Sequence, residues 1–272
     1  MRLTDYEIQA QREIEAWQHE KGPVLYQAFN WLMLPADWLV DQVVPPEVID
    51  RVSEGVAAAL GLLGDASEWT YTEQGIIERA GKRGLDVSEV EELREQPMEA
   101  LDDLARSYFS ENTLAAALEG GGTGLGGAAL IAADIPLLFA VNFRLIQQTG
   151  GSYGLSVRGD EYNPLLLSIF NVSASGSARA KGEALREVSV AAAAFAHNLD
   201  YRGRRMSGTW REQSRQVPRE IAKNLVGKKL AQTVPVAGAA VGAGVNYWFT
   251  SQTARAAYML FRAIHIERKE RL

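Results

Sequence analysis

Two long stretches of this chain are almost free of charge. Residues 231–254 carry none over 24 positions, and residues 120–143 carry only Asp134. Segments of this kind must be withdrawn from water into a core or a bilayer, and that choice governs everything else the chain can do. Both are rich in Gly and Ala, and the 231–254 run is poor in the Leu, Ile and Phe that insert strongly. The 231–254 run also holds Gln232, Asn246, Ser251 and Gln252. Asp134 at mid-bilayer would cost about 2.5–3.5 kcal/mol or more. Burial as core helices is therefore expected, ahead of reversible contact with a membrane and well ahead of stable spanning. A mean hydropathy of -0.13 agrees.

The rest of the sequence points to helices. No run of alternating β-branched residues bounded by hairpin turns is present. Thr4-Asp5-Tyr6-Glu7 has the pattern of a capping box, as does Ser88-Glu89-Val90-Glu91, and Ile8, Ile14 and Trp17 suit one buried stripe. Pro23, Pro35, Pro46, Pro97, Pro164, Pro218 and Pro235 each precede a helix-favouring run, where a missing N–H costs nothing. The spacing predicts helices at about 5–20, 24–42, 46–63, 72–81, 88–94, 97–119, 124–133, 135–150, 164–173, 177–200, 218–232 and 236–269. Residues 201–217, with five Arg and two Gly, read as an exposed basic loop. The expected fold class is all-α, a multi-helix bundle of one domain over residues 1–272 with two central glycine-rich apolar helices.

Small residues explain how such helices could meet. Gly120, Gly124, Ala128 and Ala132 recur at i+4, as do Gly238 and Gly242, and Gly127 lies beside the first set. Small side chains on one face let two backbones approach closely. Each glycine gives up roughly 1 kcal/mol of helix propensity relative to Ala. The two segments are therefore expected to cross at the centre of the fold. They also share an echo: Val141-Asn142-Phe143 with Gln148-Thr149, and Val245-Asn246-Tyr247 with Gln252-Thr253. A common role at a helix–helix contact accounts for it more simply than duplication does.

Composition excludes several chemistries. With no cysteine there is no disulfide, thiolate metal site or thiol nucleophile. His19, His197 and His265 lie far apart and lack metal-binding spacing, so no metal is expected. Gly122-x-Gly124-x-x-Gly127 matches a dinucleotide fingerprint only literally, because a helical run precedes it and not a strand. No P-loop is present, and Ser173 and Ser175 lack the first glycine of a nucleophile elbow. No cofactor is expected.

Charge is unevenly divided. Residues 1–119 hold 24 acidic and 9 basic groups, and residues 120–272 hold 10 acidic and 19 basic. An acidic and a basic solvated face is the plain reading. An anionic headgroup layer facing the basic part is the functional one. The N-terminus has no apolar signal region, so a cytoplasmic location is expected, peripheral to the inner face of a membrane. Nucleic acid is not an expected partner.

Residues 119–154 are the most distinctive stretch: a glycine-rich turn, Asp-Ile-Pro, then Asn, Arg, Gln-Gln and a Tyr-Gly ending. This block, with VPVAGAAVGAGVN at 234–246, resembles the bacterial EcsC family over roughly residues 10–265. The namesake's gene lies beside the subunits of an ABC exporter. The resemblance implies a helical, membrane-proximal protein and supplies no catalytic residues.

Glu119, Asp134, Asn142, Arg144 and Asn246 are the candidate polar cluster. Asp134 is read as the N-cap of the helix beginning at residue 135. Glu119 opposes a helix dipole, and Arg144 is its natural partner. Such a cluster is first of all structural. The leading functional expectation is a non-enzymatic accessory protein contacting an anionic membrane surface or a transporter subunit. Arg202, Arg204, Arg205 and Arg211, with Tyr247, Trp248 and Phe249, would be its contact elements. A hydrolase or lipid-modifying enzyme using buried carboxylates, and a lipid-binding helical module, are the alternatives.

Overall fold

The computed structural model describes residues 2–20, 72–123, 128–157, 163–175, 178–196 and 238–272, with six further positions between 46 and 54. The expected helices 24–42 and 218–232, and the basic loop, lie outside the described residues. So does most of the expected helix 46–63.

Eight α-helices and no strand occur among the described residues, as the punctuation predicts. They are α1 (Asp5–His19), α2 (Glu73–Gly81), α3 (Met98–Arg106), α4 (Phe109–Thr123), α5 (Ala128–Ser152), α6 (Asn163–Ser175), α7 (Ala178–Ala196) and α8 (Gly238–Arg271). A short 3₁₀ helix, Val90–Glu95, precedes α3.

The first capping box forms as read. Thr4 Oγ1 accepts from the Glu7 N–H at 3.2 Å, and Glu7 Oε2 accepts from the Thr4 N–H at 2.7 Å. The stripe behind it is Ala10, Ile14 and Trp17, while Ile8 points outward. The second box shifts by one residue. Glu92, not Glu91, accepts from the Ser88 and Glu89 N–H groups at 2.6 and 3.4 Å. The expected helix 97–119 is two helices, parted at Ser107 and Tyr108. Arg79 donates to the Ser107 carbonyl at 3.2 Å and helps hold that bend.

The reverse happens at Asp134-Ile135-Pro136. The break expected at Asp134 is absent, and α5 runs through it. Asp134 is therefore not an N-cap. Pro136 leaves the Ala132 carbonyl without its intrahelical donor, a local cost of ~3 kcal/mol that the packing of a 25-residue helix offsets.

The 34-residue α8 spans roughly 50 Å and packs on α1, α3, α4, α5, α6 and α7. Ion pairs Glu20–Arg255, Glu13–Arg262 and Glu7–Lys269 show that α1 runs antiparallel to it. Contacts of Asn142 with Thr250 and of Gly150 with Phe261 show that α5 runs parallel to it. Glu111–Arg144 and Asn112–Gln148 set the two helices side by side, and the five residue steps from Thr123 to Ala128 span at most about 19 Å, so α4 must run antiparallel to α5. Phe139, Phe143, Phe170 and Phe249 join α5, α6 and α8, with ring centroids 4.7–6.2 Å apart.

Candidate functional site

The most concentrated chemistry surrounds Asp102. On α3, Met98, Leu101 and Ala105 form an apolar stripe, and Asp102 lies on that same face, fully buried. A carboxylate placed there must be satisfied by its neighbours. Three phenols do so. Tyr153 donates to Oδ1 at 2.5 Å, and Tyr6 and Tyr258 donate to Oδ2 at 2.7 and 2.9 Å. Arg262, 3% exposed, brings Nε to 3.1 Å from Oδ2. That contact is an ion pair and not an aligned hydrogen bond, since Nε has no acceptor in line. The guanidinium spends its aligned donor on Glu13, at 2.7 Å, and lies 4.7 Å from the Tyr258 ring centre.

Local structure explains the convergence. Tyr153 follows the end of α5, where Gly154 takes φ +78°. A Cβ at Gly154 would lie 2.5 Å from Arg94 Cγ and 2.7 Å from its backbone N, so the turn that aims Tyr153 admits only glycine. Tyr258 and Arg262 are i, i+4 on α8, and Tyr6 lies in the first turn of α1.

A second ionic group adjoins the first. Glu7 is buried and receives Lys269 Nζ at 2.7 and 2.8 Å, with His265 Nε2 3.7 Å away. Burial alone would raise the Glu7 carboxyl; the bonds from Lys269 and Thr4 outweigh it and leave it lowered. His265 is held below its ordinary value chiefly by burial. Burial, then Asp102, pushes the Tyr6 phenol up to about 12. The same causes raise Tyr153 and Tyr258.

Chemically, this centre clasps α1, α3, the end of α5 and α8 together. Both Asp102 oxygens are occupied, and every phenol is held in its protonated, donating form.

The residues singled out from sequence are dispersed. Arg144 is surface-exposed and pairs with Glu111 at 3.0 Å, and Glu111 also takes Arg79 at 2.9 Å. Asn142, two positions earlier, faces the interior. Its Nδ2 donates to the Leu138 carbonyl at 2.7 Å and to Thr250 Oγ1 at 3.1 Å. The two therefore cannot belong to one buried cluster. Glu119 is half-buried in the last turns of α4, Asn246 is buried in α8, and the Asp134 side chain lies outside the described ones.

The echo keeps its Asn and Thr positions. Asn142 and Asn246 are both buried, and Thr149 and Thr253 both donate to the carbonyl four residues back. It departs at the aromatic: Phe143 is buried, and Tyr247 is 54% exposed.

Of the small residues, Gly124 and Gly127 lie outside the described residues. Gly120 is buried near the end of α4, and Gly238 and Gly242 open α8. Among the described residues a close α5–α8 approach falls at Gly150, where a Cβ would lie 2.6 Å from Val157 and 2.9 Å from Phe261. Arg202, Arg204, Arg205 and Arg211 lie outside the described residues. Trp248 is half-buried. Phe249 is fully buried in the aromatic core and is not a surface contact.

Comparison with known proteins gives a family and names no reaction. The chain is 23% identical over 253 residues to the "Uncharacterized protein YdbA" of Bacillus subtilis (strain 168), covering 92% of this chain and 89% of that protein. It is 28% identical over 160 residues to "Protein EcsC" of the same organism, covering 59% of this chain and 61% of that one. No solved structure matches. The model of the EcsC protein family matches residues 8–264, and the chain belongs to that family.

Proposed function

We propose that this protein is a non-enzymatic accessory protein that docks one end of its helical bundle against an anionic lipid surface. The carrying observation is the gathering of uncharged helix at that end. The α4–α5 register that pairs Glu111 with Arg144 puts Leu118 level with Leu137, and the α5–α8 register puts Leu137 near Tyr247. Leu114, Leu118, Leu137 and Tyr247 are 50–70% exposed. From this level outward, α4 after Glu119, α5 up to Arg144 and α8 up to Arg255 carry one charge among their described residues, Asp134. The other half of α8 carries eight Arg, Lys, His and Glu side chains from Arg255 to Arg271.

Exposed apolar side chains concentrated at one end mark an interaction surface. Each one buried in an acyl boundary contributes ~1 kcal/mol, and each nearby basic residue about as much over anionic lipid. No helix among the described residues is long and apolar enough to cross a membrane. With Asp134 in the same stretch, the geometry favours lying at the headgroup level. The saturated Asp102 centre supports a binding role over a catalytic one.

Flotation with phosphatidylcholine vesicles containing phosphatidylglycerol tests this. The full chain should rise with the vesicles at low salt, and Leu118→Glu/Leu137→Glu should remain below at unchanged melting temperature. Wild-type protein that stays below with anionic vesicles removes the proposal.

A further inference from the structure

An open trough lies at the opposite half of the bundle, far along α8 from Tyr247. Three helices line it with the same spacing. The i, i+3, i+4 and i+7 residues counted from Gln11 on α1, from Gly182 on α7 and from Ala263 on α8 form its walls and floor. Seven residue steps of helix give a length of ~10 Å, two turns. The trough encloses about 460 Å³. It is closed at one end, where Lys181 of α7 donates to the Trp17 and Glu20 carbonyls of α1 at 2.8 and 3.0 Å.

We propose that this trough is a docking site for a cationic amphipathic helix of a partner protein. Three observations carry it, none of them involving the lipid-facing end. The first is shape. Half-buried Leu185, between the edges of the otherwise buried Ile14 and Ile266, leaves a narrow apolar strip at helical spacing that accepts a helix ridge. The trough is open along its length, whereas a small-ligand site encloses most of its ligand.

The second is charge. Glu15, Glu267 and Glu270 stand on the lining against one cation, Arg186. Glu267 is engaged by Ser189 at 2.9 Å and Arg271 at 3.4 Å. Glu15 and Glu270 make no ion pair among the described residues. Two uncommitted carboxylates, one on α1 and one on α8, select Lys or Arg on the docking helix.

The third is Gly182. It lies inside α7, where glycine costs roughly 1 kcal/mol relative to Ala. A Cβ there would meet only Gln18 Nε2, at 3.8 Å, an ordinary contact. The protein's own packing therefore does not demand glycine at this position. What its missing side chain does is leave the trough wall open for an incoming helix.

The test uses the full chain without lipid, so its outcome is independent of the vesicle experiment. A fluorescent synthetic helix of roughly 14 residues, with Leu at i, i+3, i+7 and i+10 and Lys elsewhere, is titrated by anisotropy beside a twin bearing Glu for Lys. The Lys peptide should bind saturably and more weakly as salt rises, and the Glu peptide should not bind. Glu15→Lys/Glu270→Lys, both on the solvent side, should weaken binding by about tenfold or more. Gly182→Phe should abolish it while circular dichroism stays native. No saturable binding, equal binding of both peptides, or binding undiminished in the charge-reversed variant overturns the proposal.

Discussion

Asp102 carries the largest single-residue consequence. Its carboxylate faces Arg262, which is nearly as buried, so removing the charge leaves a sealed guanidinium with only Glu13 to balance it. Asp102→Asn should lose about 3–5 kcal/mol in urea unfolding, the range for breaking a buried ion pair. Tyr6→Phe removes one bond from the half-exposed edge and should lose only about 1 kcal/mol. Equal losses in the two variants would mean that the carboxylate is not the keystone. None of this centre was legible in advance. Tyr6, Tyr153 and Tyr258 lie 96, 51 and 156 positions from Asp102, and no local motif joins them. The one available signal was an acidic residue on the apolar face of 98–105. The charges near the glycines lie close in sequence but not in space. A helix turns Asn142 inward and Arg144 outward within two residues.

The adjoining Glu7, Glu13 and His265 make acid stability depend on pH in a stated direction. His265 is lowered from 6.5, so below that value the unfolded chain binds a proton that the folded chain refuses. Glu7 and Glu13 are lowered from 4.5, so a second proton excess in the unfolded state opens below that. In both windows the unfolded state holds more protons, and stability falls as pH falls. The urea midpoint should drop between pH 7.5 and 5.5, before any carboxylate contributes much. His265→Gln should flatten that interval while keeping the steeper loss below pH 4.5. A midpoint constant down to pH 5 would contradict the burial of a neutral imidazole.

At the scale of elements, punctuation by Pro and Gly was mostly readable, and its failures have physical causes. Pro97 and Pro164 do stand at helix starts. Pro136 does not, because α5 gains more from continuous packing on α8 than it loses at one carbonyl. Residues 97–119 showed no breaker, yet the helix parts at Ser107, where Arg79 and the Ser107 hydroxyl hold the local carbonyls and α3 turns Asp102 inward. Two glycines separate conformational need from vacancy. Gly154 has φ +78° and no room for a Cβ, so Gly154→Ala should destabilise by more than ~1 kcal/mol. Gly182 is helical with room to spare, so Gly182→Ala should stabilise by about 0.5–1 kcal/mol. Thermal melts of the two variants should shift in opposite directions.

For the whole molecule, the two uncharged stretches and the acidic–basic division were visible in the sequence. Their arrangement was not, because it depends on helix direction. Since α5 runs with α8 and α4 runs against both, the charge-poor ends of three helices meet at one end, and the ionic clasps gather toward the other. A lipid surface would meet this polarity through two separable forces. Apolar contact by Leu118 and Leu137 is insensitive to salt, while attraction of Arg202, Arg204 and Arg205 to anionic headgroups fades within a Debye length of about 10 Å at 0.1 M salt. Leu118→Glu/Leu137→Glu should therefore lower vesicle binding at every salt concentration. Arg202→Gln/Arg204→Gln/Arg205→Gln should lower it at low salt alone, and the curves of this variant and the wild type should converge as salt rises. If the leucine variant instead converges with wild type at high salt, charge alone drives the contact and the apolar end of the bundle does not touch the bilayer.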